Sequence, residues 1–124
     1  MDCMEQIERI RADFVKNRKV LIAIGDETRQ AIIMVLLGTS CTGLRVGDVT
    51  AKTHLSRPAV SHHLRILRDC GLVALDKQGT KNYYALNIGE EFQNLVSLVS
   101  NIAKFKGALD NGLLTGVDEC KSSL

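Results

Sequence analysis

Five side chains able to engage a nucleic acid recur on one side of a short segment. In SRPAVSHHLRILRD, residues 56–69, successive positions turn by about 100° if the segment is helical. Arg57, Pro58, Ser61, His62 and Arg65 then share one face, while Val60, Leu64 and Leu67 share the other. The first face offers two guanidinium groups, a hydroxyl and an imidazole, with no carboxylate among them. An Arg pairs bidentately with guanine or clamps a phosphate, and a Ser hydroxyl bonds to base or backbone. One good base pairing is worth roughly 1–3 kcal/mol of discrimination. The chemistry implied is recognition of duplex DNA, not the making or breaking of bonds.

Such a face needs elements to carry and aim it. Ser56 is a good N-cap, and Pro58 suits a first turn, where its missing N–H costs nothing. Gly71 fits the position just past the helix end. Residues 46–53 read as a shorter helix, with His54-Leu55 as the turn between the two. That turn is expected to use a positive φ, which His adopts more often than most residues. Together these form a helix-turn-helix, which sets its second helix in the major groove. Residues 72–75 and 83–86 read as strands around a polar, Gly-containing stretch, a hairpin directly after the recognition helix. That order is a winged helix. Lys77, Thr80 and Lys81 lie at the hairpin tip, where they suit backbone or minor-groove contacts. Lys52 and, more weakly, Thr50 and Thr53 suit phosphate contacts from the shorter helix. Arg68 lies on the polar side near the far end. His63 lies toward the core edge and is expected to pack.

The flanks are helical. Met4, Ile7, Ile10 and Phe14 recur at helical spacing, predicting a helix over 3–17. Asp26 caps a helix over 27–37 whose Ala31, Ile32, Val35 and Leu36 are expected in the core. A long helix over 90–109 carries Phe92, Leu95, Val96, Val99, Ile102, Phe105 and Leu109. Leu98 and Ala103 widen this stripe beyond what one small domain buries, which predicts a second subunit. The expected architecture is mostly α with a small β-hairpin. It has about five helices and a two-stranded wing, in one domain over 1–110, with a tail over 111–124.

The 124 residues carry a net charge of only +2, unevenly distributed. Residues 45–86 hold seven Lys or Arg against three Asp, while residues 87–124 are net acidic. The positive charge therefore sits on the segment that resembles a DNA reader. No apolar run is long enough for a membrane span and no secretion signal is evident, so a cytoplasmic protein is expected. There is no Gly-rich phosphate loop, nucleophile elbow or plausible carboxylate pair, which argues against an enzyme. A winged helix used only for protein assembly would show an apolar outer face on residues 57–65, and this face is basic.

These pieces resemble the ArsR/SmtB family of winged helix-turn-helix repressors. The likeness runs through Gly25-Asp26-Glu27-Thr28-Arg29, Leu44-Arg45-Val46-Gly47-Asp48-Val49, residues 55–64, residues 67–73 and residues 79–86, in order and at the right spacing. It implies a homodimer joined through its first and last helices (3–17 and 90–109) on a palindromic operator, repressing by blocking transcription. The family's sensor sites are where the sequence departs. One site places cysteines in a pattern such as L-C-V-C-D-L, and here the matching stretch has Arg45 and Gly47. A second uses Asp, His and Glu on the last helix, and residues 90–109 lack Asp and His. A third pairs cysteines on the second and last helices; the matching position is Met34, and the last helix has none. No metal site and no cofactor are expected, and the inducer is left open. Four cysteines remain. Cys70 is expected to be buried as a small apolar residue. Cys41 lies near Arg45, which favours thiolate. Cys3 and Cys120 approach each other if the terminal helices pack together. A thiol- or soft-metal-responsive repressor using Cys3 and Cys120, or Cys41, is thus the alternative.

Overall fold

The computed structural model describes residues 2–39 and 42–112. They form α1 (Cys3–Lys16), α2 (Arg18–Ile24), α3 (Glu27–Leu37), α4 (Val46–Lys52), α5 (Arg57–Asp69), β1 (Val73–Gln78), β2 (Lys81–Leu86) and α6 (Glu90–Asp110). The chain divides into two compact units. One comprises Met1–Arg18 and Gln93–Leu124, the other Lys19–Phe92. Cys41, Cys120 and most of the expected tail lie outside the described residues.

Among the described residues six helices stand where about five were expected: α2 is the addition, and α1 ends, as expected, at Asn17. Its N–H donates to Asp13 O, and the side-chain Nδ2 donates to Asp13 O at 2.8 Å and Asn94 O at 3.2 Å. A side chain that satisfies the backbone outside the helical ladder ends the helix there. Within this unit Cys3, Ile7 and Phe105 form a small core, with Ile10, Ala108 and Leu109 packed against it. Leu98 is also buried. The apolar stripes divide as a result. Met4, Phe14 and Val15 on α1, with Val96, Val99 and Ile102 on α6, remain exposed.

In the second unit, α3 packs against α4, α5 and β2, and α5 packs against α4 and β1. Ile32, Leu36, Val49, Val60, Leu64, Leu67, Leu72 and Val73 are buried. Asp26 caps α3 by accepting from Arg29 N at 3.0 Å, and Ser56 caps α5 by accepting from Ala59 N at 3.3 Å. Helix α5 ends in a Schellman arrangement: Gly71 N donates to Arg68 O and Leu72 N to Leu67 O, with Gly71 at φ +87°.

The strands pair antiparallel from Val73↔Leu86 to Gln78↔Lys81. Both are longer at the tip end than the sequence suggested, because only Gly79-Thr80 turns the chain. Gly79 at φ +65° supplies the conformation that the first position of a tight II′-type hairpin turn requires. A third segment joins the wing: Leu44 and Tyr84 exchange backbone hydrogen bonds at 2.8 and 2.7 Å. The expected positive φ at His54 is not found. No non-glycine residue among those described has one, and the turn leaves α4 through an extended Thr53 at φ −123°, ψ 163°.

Candidate nucleic-acid interface

Helix α5 has the two faces its sequence implied. Val60, Leu64 and Leu67 are wholly buried, while Arg57, Pro58, Ser61, His62 and Arg65 are exposed. The buried triplet fixes the helix rotation, because turning it would strip apolar surface at about 25 cal/mol per Å². Ser56 is exposed at the helix start, and its oxygen is committed as the cap acceptor, leaving its O–H free to donate outward. Lys52 is exposed at the end of α4, and Lys77, Thr80 and Lys81 at the hairpin tip. Arg68 is exposed too. Thr50 and Thr53 differ: their hydroxyls donate to Val46 O and Val49 O, at 2.8 and 3.0 Å.

The two histidines part company. His62 is exposed and His63 is half-buried, with their rings edge to face at 5.4 Å between centroids. His63 Nδ1 lies 3.3 Å from Arg29 Nη1. An Arg can only donate, so in this contact Nδ1 is the acceptor. Arg29 also donates from Nε to Ala23 O at 2.7 Å and from Nη2 to Ile22 O at 3.3 Å, with Asp26 at 4.0 Å. Its backbone N–H is the main reason Asp26 sits below the usual carboxylate pKa, with the guanidinium charge adding to the effect. Arg29 therefore ties the start of α3 to the middle of α5 and holds the histidine beside His62. The sequence showed Arg29 only as one letter of a motif. Its contact with His63 spans 34 residues and leaves no local signature.

Neither described cysteine is exposed. Cys70 is half-buried, its Sγ donates to Leu67 O at 3.3 Å, and burial raises its pKa. Cys3 is completely buried and disulfide-bonded. Among the described residues, no three His, Cys, Asp or Glu converge as metal ligands. No described helix is long and apolar enough to cross a membrane.

The sequence pattern of the bacterial regulatory protein, arsR family, matches residues 26–74, from the cap of α3 to the start of β1. The transcriptional repressor SdpR of Bacillus subtilis is 37% identical over 68 residues, covering 55% of this chain and 72% of SdpR. The chain belongs to the ArsR family. An HTH-type transcriptional regulator of Methanocaldococcus jannaschii is 30% identical over 91 residues, covering 72% of this ArsR-family chain and 97% of its own. Among solved structures, the ArsR-like transcriptional regulator from Rhodococcus sp. RHA1 superposes with a TM-score of 0.64. It covers 90% of this chain and 94% of its own at 22% identity, and so shares the winged-helix fold. This ArsR-family protein is a DNA-binding transcriptional regulator and not an enzyme.

Proposed function

We propose that the protein is a homodimeric, cytoplasmic repressor that binds a palindromic operator and needs no metal or other cofactor. In this reading α5 enters the major groove with Ser61, His62 and Arg65 toward base edges. Arg57 and Pro58 contact DNA from its first turn. Lys52 and Ser56 meet the backbone beside them, and Lys77, Thr80 and Lys81 meet it from the wing. The observation that carries this is the face of α5 that exposes Arg57, Ser61, His62 and Arg65 opposite a wholly buried Val60, Leu64 and Leu67. The unburied side chains of α1 and α6, with Val15 62% and Val99 60% exposed, supply the surface for a second copy. Two-fold symmetry then presents two recognition helices to half-sites about one DNA turn apart.

The test is a duplex selected from a random pool, titrated beside an unrelated duplex. His62→Ala and Arg65→Ala are expected to weaken the selected duplex by roughly tenfold or more and the unrelated one much less. Equal losses on both would remove these residues from base reading. Val99→Lys and Ile102→Lys are expected to convert a sedimenting dimer to monomer. A wild-type protein that sediments as a monomer at micromolar concentration would sink the dimer.

A second reading, a thiol-responsive repressor, is favoured by the disulfide at Cys3. Disulfides in a reducing compartment are labile and often regulatory. Reduction would then change duplex affinity in the wild type and leave Cys3→Ser unaffected. Equal affinities in oxidised and reduced wild-type protein would refute it.

A further inference from the structure

Two arginines line one cleft at the start of the base-reading helix. A polar cleft of about 240 Å³ is lined by Arg45, Gly47, Asp48 and Arg57. Arg45 comes from the N-cap of α4 and Arg57 from the first residue of α5. Gly47 forms the floor: a Cβ built there would lie 3.8 Å from Arg57 Nη1, so the Arg57 guanidinium lies over this backbone. The Arg45 backbone is held on both sides. Leu44 is bonded to Tyr84 of the wing, and Arg45 N donates to Asp48 Oδ2 at 3.1 Å. Neither guanidinium has a hydrogen-bond or ion-pair partner among the described residues. The cleft is thus lined by two positive side chains and one carboxylate, a surplus of one charge.

We infer that Arg45 and Arg57 close on a single phosphodiester of the DNA backbone. A phosphodiester carries one negative charge, which matches the surplus. Its oxygens suit planar guanidinium donors arriving from two directions. Arg57 shares the exposed face of α5 with Ser61, His62 and Arg65, so its cleft flanks the groove that this face enters, where the strand's phosphates run. Arg57 is then a backbone clamp and not a base reader. Arg45, at a position where relatives of the family carry a sensing cysteine, becomes a DNA contact. Asp48 has a double role: it caps α4 through Arg45 N and limits the attraction of the cleft. The inference rests on α5 being the groove-facing helix.

The test uses an unrelated 30-bp duplex, whose binding reports phosphate contacts without base reading. Arg45→Gln and Arg57→Gln are each expected to weaken binding at low salt by roughly three- to tenfold. Because they share one phosphate, the double variant should lose less than the product of the two single losses. Its slope of log affinity against log salt should fall by about 1.8, one phosphate per protomer at about 0.9 each. Asp48→Asn, which removes the only negative group from the cleft, should tighten binding about two- to fivefold. Single variants that bind like wild type, losses that multiply independently, or an Asp48→Asn protein that binds no tighter would each overturn the shared clamp. A wild-type protein that binds no duplex at low salt would instead sink the groove-facing reading itself. Arg45 and Arg57 are exposed, so unchanged unfolding midpoints are expected to accompany the losses.

Discussion

Replacing Arg29 by Met should destabilise the protein far more than an average surface change, and the structure sets the size. The side chain is only 11% exposed. Its shortest bond, Nε to Ala23 O at 2.7 Å, is charge-assisted, and such bonds contribute about 1.5–3 kcal/mol. Ala23 is 2% exposed, so water does not readily replace the lost donor. A stranded carbonyl costs about 1–3 kcal/mol, an overlapping measure of the same loss. The bonds to Ile22 O and His63 Nδ1, both 3.3 Å, are longer and weaker, at about 0.5–1 kcal/mol each. Met fills much of the stem volume, so no large cavity adds to the cost. The expected loss is about 2.5–5 kcal/mol, read as a lower urea midpoint with an unchanged slope. Arg29→Lys keeps the charge but not the fork, and one ammonium at the end of a flexible stem does not reproduce bonds to two carbonyls and an imidazole. It should recover less than half the loss. Destabilisation of Arg29→Met below about 0.5 kcal/mol, or full rescue by Lys, would refute the reasoning, because the fork would then contribute no more than its charge.

Three further outcomes follow from named groups. Asp26 has a folded-state pKa below its ordinary 3.8, so its contribution is present above that value and is lost as pH falls through the lowered one. Urea midpoints of wild type and Asp26→Asn should therefore converge below about pH 4 and separate above it. A constant gap across pH 3–7 would contradict this. Gly43→Ala should cost about 2–4 kcal/mol: φ is +81°, and its Cβ would fall 2.7 Å from Tyr84 O, forcing apart the Leu44–Tyr84 bridge. Unfolding in urea measures it, and a loss under about 1 kcal/mol would show that the bridge yields freely. Burial raises the Cys70 pKa, so its native thiol should react with iodoacetamide near pH 8 more slowly than after unfolding. Equal rates would show that the thiol is not shielded.

What the sequence made legible is what is local or periodic. The faces of α5 follow from 100° spacing, the Asp26 and Ser56 caps from residue type next to an apolar run, and Gly71 from its place after the last turn. The sequence does not predict α2 over 18–24: no cap residue announces its start, and the bonds of Asn17 to Asp13 O and Asn94 O that end α1 have no local signature. The hairpin is longer than the sequence predicts, because polar Asp76, Lys77 and Gln78 resemble loop residues. On an exposed ribbon, polar residues pair as well as apolar ones. The exposed half of the α6 stripe was foreseen as surplus. Which residues formed it was not, since Leu98 turned inward and Val96, Val99 and Ile102 did not. The cleft between Arg45 and Arg57 depends on where two helix starts meet, and spacing along one helix does not report that.

The way α5 is held bears on how its specificity can change. Ser56 fixes its start, Arg29 grips His63 near its middle, and Gly71 turns the chain out of its end toward β1. Val60, Leu64 and Leu67 set its rotation. None of these anchors lies on the exposed face. Ser61, His62 and Arg65 therefore add little to stability, and substitutions there are expected to fall within about 0.5 kcal/mol of wild type. With α5 in the major groove as proposed, the same substitutions should change which duplex is preferred, since each would remove or create a base-edge contact. Substitutions at Arg29 and His63 should do the reverse, lowering stability and loosening affinity for every duplex together. Selecting duplexes with Ser61→Asn and His63→Ala proteins separates the two. A shifted consensus for the first and an unshifted, weaker one for the second are expected. An altered consensus for His63→Ala would mean that the half-buried imidazole itself reads bases, and the division between anchor and reading face would fail.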